Sequence, residues 1–451
     1  MCSSPAGIKM EQVSLIEILE AREARVLLQQ QLLTRFQMPL ICFTMNIAGP
    51  VKVSPKIREA FQLGSSLLLT RLAERGIIVH YLQEHCPATG CEGYYVADAP
   101  AELLKSIAVD LEEETPLGRL FDMDVLTPEG EKLQRPIPRR CLICGENAAI
   151  CGRSRAHSVP ELQNATAELL TGLSEPELVG LLAQKALLME VFCTPKPGLV
   201  DRRNSGSHRD MDIFTFLKSV TALGIYFRDC AATGTETAHL APKDTFRRLR
   251  RLGKQAEDAM FSATGGVNTH KGAIFTLGLL CGATGRLTGL PRVPKALCAQ
   301  CAEMTDGITT TDFAGVTAEN AVTAGQRLYA QYGITGIRGE AEQGFPAVLR
   351  AGLPVLLDGI SKGKELNDCG CAALLSILSQ TEDTNLIHRS DRATQQSVKA
   401  QLQGLLAKEP FPSREALEQL DEEFIQKNLS PGGSADLLAA SFFLYFLQTL
   451  L

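Results

Sequence analysis

The chain has 451 residues, of which 45% are hydrophobic, and its formal net charge is −6. This composition predicts a globular protein of two or three domains, and the acidic balance argues against a general nucleic-acid or acidic-membrane binder. Residues 1–7 lack the charged start and apolar core of a signal peptide, and the most apolar stretch, residues 437–451, is too short to span a bilayer. We therefore expect a cytoplasmic protein whose fourteen cysteines are mostly reduced thiols.

The first 155 residues alternate between helical and strand patterns. A short apolar run over residues 39–47 ends at a Gly-Pro turn, which is typical of a buried strand. Ser54 followed by Pro55 predicts a helix N-terminus. Together the patterns predict helices over residues 15–36, 54–75 and 100–114, and strands over residues 39–47, 77–84, 94–97 and 120–126. This half is therefore predicted to be an α/β or α+β domain.

Two aspartates lie two residues apart in the last of these strands. The strand repeat places Asp122 and Asp124 on one face and their apolar neighbours on the other. Adjacent carboxylates repel each other unless a cation joins them, so this pair is a candidate Mg²⁺ site that clamps a polyphosphate. Solvated aspartates at a sheet edge are the alternative. Gly49 and Lys52, in the turn after the first strand, are companion candidates for phosphate contacts.

Three cysteines and a histidine are closely spaced at the end of this half. The side chains of Cys141, Cys144, Cys151 and His157 offer three thiolates and an imidazole, a set that suits tetrahedral zinc. Four protein ligands leave no open coordination position, so this zinc ion would be structural. The alternative is a set of reduced cysteines in a basic loop.

The second half shows almost no strand pattern. Residues 158–172 are polar and mixed, which predicts a linker, and a capping-box spacing from Ser174 to Glu177 then begins an apolar helix that ends near Phe192. Further helical patterns cover residues 212–231, 244–262, 270–285, 318–331, 345–359, 366–380, 391–408, 413–428 and 434–450. The sequence therefore predicts two domains, residues 1–165 and 166–451, of which the second is all-α.

Polar signatures fall between these helices. The stretch 264–272 combines glycines, polar donors and Lys271 immediately before an apolar helix. Glycine-rich helix N-termini are typical phosphate sites, although the Walker A spacing is absent here. A helix C-cap followed by a new N-cap is the alternative. Because other loops, at 194–212, 336–340 and 430–436, also gather acidic residues, His, Lys and Gly, the pattern indicates a polyphosphate site with bound magnesium.

Long stretches of both halves resemble known enzyme families. Residues 194–201, 264–272 and 430–438 resemble the signatures of triphosphoribosyl-dephospho-CoA synthase. Residues 46–52, 118–125 and 140–157 resemble the holo-citrate-lyase synthase family. The two similarities cover nearly the whole chain, so it resembles the fused, bifunctional enzyme that makes and attaches the prosthetic group of citrate lyase.

The resemblance implies that the second half joins the ribose C1 of ATP to a hydroxyl of 3'-dephospho-CoA and expels adenine. This step needs a carboxylate near an oxocarbenium-like centre, a proton donor for adenine and a clamp for the triphosphate. The phosphate and nucleotide candidates are Lys196, Gly265, Gly266, Asn268 and Lys271. The metal or oxocarbenium candidates are Asp201, Asp210, Asp212 and Asp436, and the acid/base candidates are His208, His270 and Glu340.

The resemblance also implies that the first half passes the product to a serine of the apo acyl carrier protein subunit of citrate lyase and releases pyrophosphate. This is nucleotidyltransferase-like chemistry, in which Asp122 and Asp124 would be the catalytic metal ligands. Lys52 and Arg119 would contact phosphates. We therefore expect Mg²⁺ as the cofactor, a structural zinc ion as a candidate, and neither nucleic acid nor membrane as a partner.

Three alternatives are open on sequence grounds. The same two reactions could serve malonate decarboxylase, which uses the same prosthetic group. A zinc-containing nucleic-acid-binding protein is a second alternative, which the acidic balance disfavours. The third is a helical hydrolase of N-glycosidic bonds, which would release adenine without dephospho-CoA.

Overall fold

A computed structural model describes residues 11–290 and 292–450. The chain divides into two compact units, with the boundary between Ser174 and Glu175. The first unit comprises the described residues up to Ser174 except Ala73–Gly76. The second unit begins at Glu175, nine residues after the boundary suggested by the sequence pattern, and residue 165 itself lies inside a helix.

The first unit is built on a four-stranded antiparallel sheet. Its strands are β1 Leu40–Met45, β2 Val79–His85, β3 Glu92–Ala97 and β4 Phe121–Leu126, in the order β2-β3-β1-β4. The central strand β1 places Leu40 opposite Val96 on one side and opposite Leu126 on the other. Because all three pairings are antiparallel, the unit is of the α+β class.

The helices of this unit are α1 Leu15–Phe36, α2 Pro55–Glu74, α3 Ala101–Glu113, α4 Ala148–Ser154 and α5 Val159–Thr171, with a 3-10 turn at Leu117–Leu120. Helices α1 and α2 pack on opposite faces of the sheet. Leu32 and Leu33 of α1 pack on the face that carries Cys42. On the opposite face Phe43 stacks on Phe61 of α2 at a centroid distance of 4.8 Å.

The linker predicted over residues 158–172 is wrong, because this segment is helix α5. Ser158 accepts a hydrogen bond from the backbone N–H of Glu161, and the Glu161 carboxylate accepts from Ser158 in return, which forms a capping box. Thr166 and Leu170 are the buried positions of this helix. The sparse apolar stripe explains why the pattern resembled a linker.

Among the described residues, the second unit contains only helices and loops. The helices are α6 Glu175–Phe192, α7 Ile213–Ala222, α8 Gly224–Glu236, α9 Pro242–Thr264, α10 Lys271–Arg286, α11 Pro294–Thr305, α12 Ile308–Asp312, α13 Ala324–Tyr332, α14 Gly336–Glu342, α15 Leu353–Ser361, α16 Leu366–Gln380, α17 Thr384–Arg389, α18 Arg392–Lys408, α19 Arg414–Gln426 and α20 Gly432–Gln448, with a π-helical turn at Val348–Gly352. In this unit the sequence pattern joined α7 and α8 into one helix and missed α11, α12, α14 and α17. The prediction of a helical second domain is confirmed.

Helix α6 is the centre of this unit. Every residue from Leu178 to Phe192 is buried, and the helix packs against α8 and α20. Helix α10 packs against α8 and α20 as well. A helix that is buried on all sides tolerates charged residues only when they are paired or functional, and α6 carries Glu190 near its C-terminal end.

Two further observations concern the whole chain. None of the helices in the described ranges is long and apolar enough to cross a lipid bilayer. Cys86 and Cys91 are joined by a disulfide, and the other eleven described cysteines are free.

Helices α8 and α10 approach each other so closely that glycine is required at the contact. A Cβ atom on Gly285 would lie 2.0 Å from the carbonyl oxygen of Ala231, and backbone cannot move aside as a flexible side chain can. We expect Gly285→Ala to lower the free energy of unfolding by about 1–3 kcal/mol. Urea unfolding followed by circular dichroism measures this change.

Gly404→Ala is the matched control, because Gly404 lies in α18 with no atom within 4 Å of a Cβ position. This variant should be unchanged or more stable, by about 1 kcal/mol at most, from the higher helix propensity of alanine. Equal stability of Gly285→Ala and the wild type would contradict the close-packing explanation.

Candidate active sites

A cavity of about 610 Å³ in the second unit brings together the polar loops that the sequence singled out. Its lining includes Glu190 of α6, the loop before α7, the N-terminus of α10, the start of α14, the segment from residue 380 to 389, and the N-terminus of α20. Of the predicted residues, the cavity is lined by His208, Asn268, His270, Lys271, Glu340 and Asp436. Helix N-termini surround the cavity, which is typical of anion sites.

Three carboxylates, those of Glu190, Asp383 and Asp436, line one part of this cavity. Burial raises the pKa of Asp436 well above its ordinary value, and the nearby carboxylates of Glu190 and Asp383 contribute to the same shift. The backbone N–H of Ala273 donates to Asp436, and a Cβ on Gly272 would lie 1.9 Å from Asp436 Oδ2. Only glycine at position 272 therefore lets the Asp436 carboxylate approach the N-terminus of α10.

Asp383 and Glu190 already have protein partners. Asp383 accepts from the backbone N–H groups of Asn385, Leu386 and Ser434 and from the Ser434 hydroxyl, at 2.6–3.1 Å. The Lys196 ammonium contacts the Glu190 carboxylate and donates to the Glu190 carbonyl at 2.7 Å. Asp436 is thus the carboxylate of the three with most capacity left for a ligand.

His270 is a neutral hydrogen-bond donor at the cavity wall. Thr269 Oγ1 donates to Ser219 Oγ at 2.8 Å, and Ser219 Oγ lies 2.7 Å from His270 Nδ1. When Ser219 donates its own proton to Nδ1, the imidazole proton lies on Nε2. Within the described part of the chain, the buried Nε2 has no hydrogen-bond partner. Burial, together with the smaller effect of the positive charge on Lys196, lowers the pKa of His270 to about 3.

The other two acid/base candidates differ in their availability. His208 Nε2 lies 2.8 Å from Ser430 Oγ, and Arg389 donates to His208 Nδ1 at 3.1 Å. Burial and, to a smaller extent, the positive charge of Arg389 lower the pKa of His208, which favours the neutral ring. Both ring nitrogens of His208 are therefore already engaged. Burial raises the pKa of Glu340, whose Oε2 accepts from the Ala347 backbone N–H at 3.1 Å. A carboxyl that keeps its proton more readily than usual suits a general acid.

The glycines of the central stretch act as a helix C-cap instead of a phosphate cradle. Gly265 ends α9 in the left-handed conformation, and the Gly266 N–H donates to the Phe261 carbonyl. The cavity lining begins after them, at Asn268. Lys271 lines the cavity and forms an ion pair of 2.7 Å with Glu257.

Three other candidates of the second unit have structural roles, and a fourth is exposed. Lys196 is buried in the ion pair with Glu190. Asp201 accepts from Thr194 Oγ1 and from the N–H groups of Lys196, Arg203 and Asn204, so its carboxylate is saturated. Asp212 caps α7 through Thr215, and Asp210 is exposed. Asp201, Asp210 and Asp212 are therefore not presented as metal ligands in this cavity.

In the first unit, Asp122 and Asp124 lie on one face of β4, as predicted. Phe121, Met123 and Val125 are fully buried on the other face. The Lys132 ammonium lies 2.6 Å from Asp124, and the Arg139 guanidinium lies 3.6 Å from Asp122. Both carboxylates are partly exposed and are compensated by cations that a metal ion could replace.

A second cavity, of about 840 Å³, lies entirely within the first unit. Its charged lining residues are Arg119, Arg135, Arg139, Arg140, Arg155, Glu112 and Glu113. Five arginines and two glutamates leave an excess of three positive charges. Arg139 both lines this cavity and contacts Asp122, which connects the cationic wall to the aspartate pair.

The remaining candidates of this unit support the backbone. The Lys52 ammonium donates to the Ile47 carbonyl at 2.6 Å. Burial and, to a smaller extent, the positive charge of Arg22 lower the pKa of Lys52. Gly49 has a φ of +87°, which requires glycine in this turn. Arg119 lines the cavity and donates to the carbonyls of Arg140 and Cys141 at 3.1 and 2.6 Å.

Comparisons with known proteins agree with the division of the chain into two units. The family described as apo-citrate lyase phosphoribosyl-dephospho-CoA transferase matches residues 13–172, and the family described as ATP:dephospho-CoA triphosphoribosyl transferase matches residues 176–451. A protein of Haemophilus influenzae named Protein CitXG is 37% identical over 459 residues, which is 96% of each chain.

The chain belongs to the CitXG family. Protein CitXG of Leuconostoc mesenteroides is 34% identical over 96% of this chain and 97% of its own length. A 2-(5''-triphosphoribosyl)-3'-dephosphocoenzyme-A synthase of Pectobacterium atrosepticum is 43% identical over 58% of this chain and 87% of its own length. The resemblance drawn from the motifs is confirmed, and this CitXG-family protein is a bifunctional transferase of citrate lyase prosthetic-group biosynthesis.

Several cavity residues were not singled out from the sequence of this CitXG-family protein. Glu190 had a signal, because it is the one carboxylate in the apolar helix segment 178–192. Arg389 and Ser219, which contacts the cavity residue His270 from behind the lining, had no signal, because each acts on a histidine more than fifty residues away in the sequence. Arg135 and Arg139 lie near the cysteine cluster, but only the fold brings them to one wall.

The neutral state of His270 predicts a pH dependence of stability. Its folded pKa of about 3 lies below the ordinary histidine value of about 6.5, so its contribution is complete above pH 6.5 and is lost as the pH falls toward 3. Lowering the pH from 7.5 to 5.5 should cost about 1 kcal/mol through this residue. Urea unfolding at both pH values, compared with that of His270→Asn, isolates the contribution. An identical pH dependence in both proteins would show that His270 is not held neutral.

Proposed function

We propose that the second unit makes the prosthetic group and that the first unit attaches it. In the second unit, the ribose C1 of ATP bonds to a hydroxyl oxygen of 3'-dephospho-CoA and its bond to adenine breaks. In the first unit, a serine of the apo acyl carrier protein subunit of citrate lyase displaces pyrophosphate from the product. The observation that carries the proposal is the convergence of the polar loops of the second unit on one cavity, while Asp122 and Asp124 lie on the sheet of the first unit.

The carboxylates in the cavity of the second unit fit a cation that is bound to the triphosphate. Burial raises the pKa of Asp436 well above its ordinary value, and the nearby Glu190 and Asp383 carboxylates raise it further, so a cation bound beside Asp436 would favour its charged form. Mg²⁺ needs only one or two protein carboxylates when phosphate oxygens and water complete its coordination. When bound, it would neutralise triphosphate charge, and Asp436 is the residue that would hold it.

The side chains around this cavity can carry out the proton movements. As the C1–nitrogen bond breaks, its electron pair goes to adenine, and Glu340 is suited to supply a proton because its pKa is raised. The hydroxyl that attacks C1 loses its proton, so the net result is transfer of one proton from acceptor to adenine. His270 stays neutral and donates a hydrogen bond through Nε2, to a phosphate or to the leaving base.

The aspartates of the first unit fit the attachment step. Asp122 and Asp124 share one face of a rigid strand, with Thr44 and Cys42 as their neighbours across the sheet. These carboxylates would hold Mg²⁺, which activates a serine oxygen and stabilises pyrophosphate when bound. Arg139, beside Asp122, is placed to contact the phosphate that leaves.

Separate variants test the assignment of one reaction to each unit. Asp122→Asn combined with Asp124→Asn should lower carrier attachment about 100-fold or more, because the first unit then lacks its metal ligands. Adenine release should stay normal, because the cavity of the second unit is unchanged. Asp436→Asn should lower adenine release to a similar extent and leave attachment of a preformed donor intact. Chromatography of adenine and mass spectrometry of the carrier protein provide the two measurements.

Controls with the same change of charge are available in each unit. Asp110→Asn, on the exposed side of α3, and Asp258→Asn, on the exposed side of α9, should leave both reactions unchanged. If either set of active-site variants abolished both reactions while the protein stayed folded, the two-site assignment would be rejected.

A further inference from the structure

We propose that Cys141, Cys144, Cys151 and His157 bind one structural zinc ion, and that this ion fixes the cationic wall of the first unit's cavity. The three sulfurs and one ring nitrogen all lie within 4.8 Å of one another. Within the described residues, they form the one group of three or more His, Cys, Asp or Glu side chains that converges in this way.

The distances match those in a tetrahedral zinc site. With Zn–S bonds of about 2.3 Å and a Zn–N bond of about 2.0 Å, two sulfurs lie about 3.7 Å apart and a sulfur and a nitrogen about 3.5 Å apart. Cys144 Sγ lies 3.5 Å from Cys151 Sγ and 3.3 Å from His157 Nε2. The ligands therefore surround a space of the size that a zinc ion occupies.

The backbone around the first two cysteines has the form of a metal-binding turn. The Cys141 N–H donates to the Glu146 carbonyl, and the Gly145 N–H donates to the Cys141 carbonyl. The N–H groups of Ile143 and Cys144 point at the Cys141 sulfur. Gly145 has a φ of +76°, which lets the chain reverse directly after the second cysteine.

The segment has little else to hold it. Helix α4 contains no buried residue, and Ile143 and Ile150 are exposed. A seven-residue helix without a core contact is not stable alone in water. Convergence of four metal-ligating side chains at such a place is explained by a metal that replaces the missing core, as in small zinc domains.

The proposed ion would position the arginines of the cavity. Cys141, Cys151 and His157 line the cavity together with Arg140 and Arg155 from the same segment. Arg119 donates to the carbonyls of Arg140 and Cys141, so the zinc-bound turn also orients a guanidinium that comes from another part of the unit. By orienting these arginines, the zinc ion helps the cavity to bind a polyphosphate. This positioning role rests on the function proposed above, whereas the metal site itself does not.

Metal analysis of the full chain tests the site directly. Protein purified under reducing conditions should contain about one zinc ion per chain, and Cys144→Ser and His157→Ala should lose most of it. Cys42→Ala, which changes a buried cysteine elsewhere in the same unit, should retain the ion. Replacement of zinc by Co²⁺ in the wild-type protein should produce thiolate-to-cobalt absorption, a result that does not depend on the folding of any variant.

Three results would overturn the site. These are absence of zinc after incubation of the reduced protein with zinc sulfate, equal zinc loss in Cys42→Ala, and a Cys144–Cys151 disulfide in protein kept under reducing conditions.

The positioning role has its own readout. Cys144→Ser should raise the KM for the donor in carrier attachment about tenfold, as second-shell changes commonly do, and leave adenine release unchanged. Unchanged attachment kinetics in zinc-free protein would overturn the positioning role but not the metal site. If the wild-type protein had neither activity, the function proposed above would fail while the metal analysis still stood.

Discussion

Buried carboxylates that accept backbone N–H groups hold the loops of the second unit in place. The first N–H groups of every helix lack partners within the helix, and leaving one of them buried without a partner costs about 1–3 kcal/mol. Asp383 satisfies such groups at the N-termini of α17 and α20 together. Asp201 closes its own loop, and Asp421 joins Gly198 to Asn204. These residues explain why acidic side chains concentrate in the loops without all of them being ligands.

The two cavities differ in the sign of their charge. In the second unit, Glu190, Asp383 and Asp436 gather carboxylates whose pKa values are raised, so this cavity favours a ligand that brings cations with it. In the first unit, five arginines exceed two glutamates around the cavity, so that cavity favours an anion directly. Each arrangement is consistent with a polyphosphate, held through a metal in one case and through guanidinium groups in the other.

The elements that the sequence predicted well are those with strong periodicity. The bounds of α1, β4 and α16 were predicted to within one residue, and the two-residue repeat placed Asp122 and Asp124 on one face correctly. The short or weakly amphipathic helices α4, α5 and α17 were missed, because their positions are set by tertiary contacts and caps instead of an apolar stripe.

The candidate sites could be predicted only in part. The motifs identified loops that line the cavity, but which side chain of a loop reaches the cavity depends on hydrogen bonds that no local pattern reveals. Asp201 and Asp436 are both acidic residues in motif loops, yet Asp201 is saturated by four donors and Asp436 lines the cavity. Likewise, the neutral tautomer of His270 depends on Ser219, which lies fifty-one residues earlier.

The most direct test of the account is to incubate the purified full chain with ATP, Mg²⁺ and 3'-dephospho-CoA, with and without the apo carrier protein. Free adenine and the mass of the carrier protein are then measured. Adenine should be released only when dephospho-CoA is present, and the carrier should gain the mass of the phosphoribosyl-dephospho-CoA group. Adenine release that proceeds equally without dephospho-CoA, with a carrier of unchanged mass, would contradict the proposed function and indicate hydrolysis of an N-glycosidic bond instead.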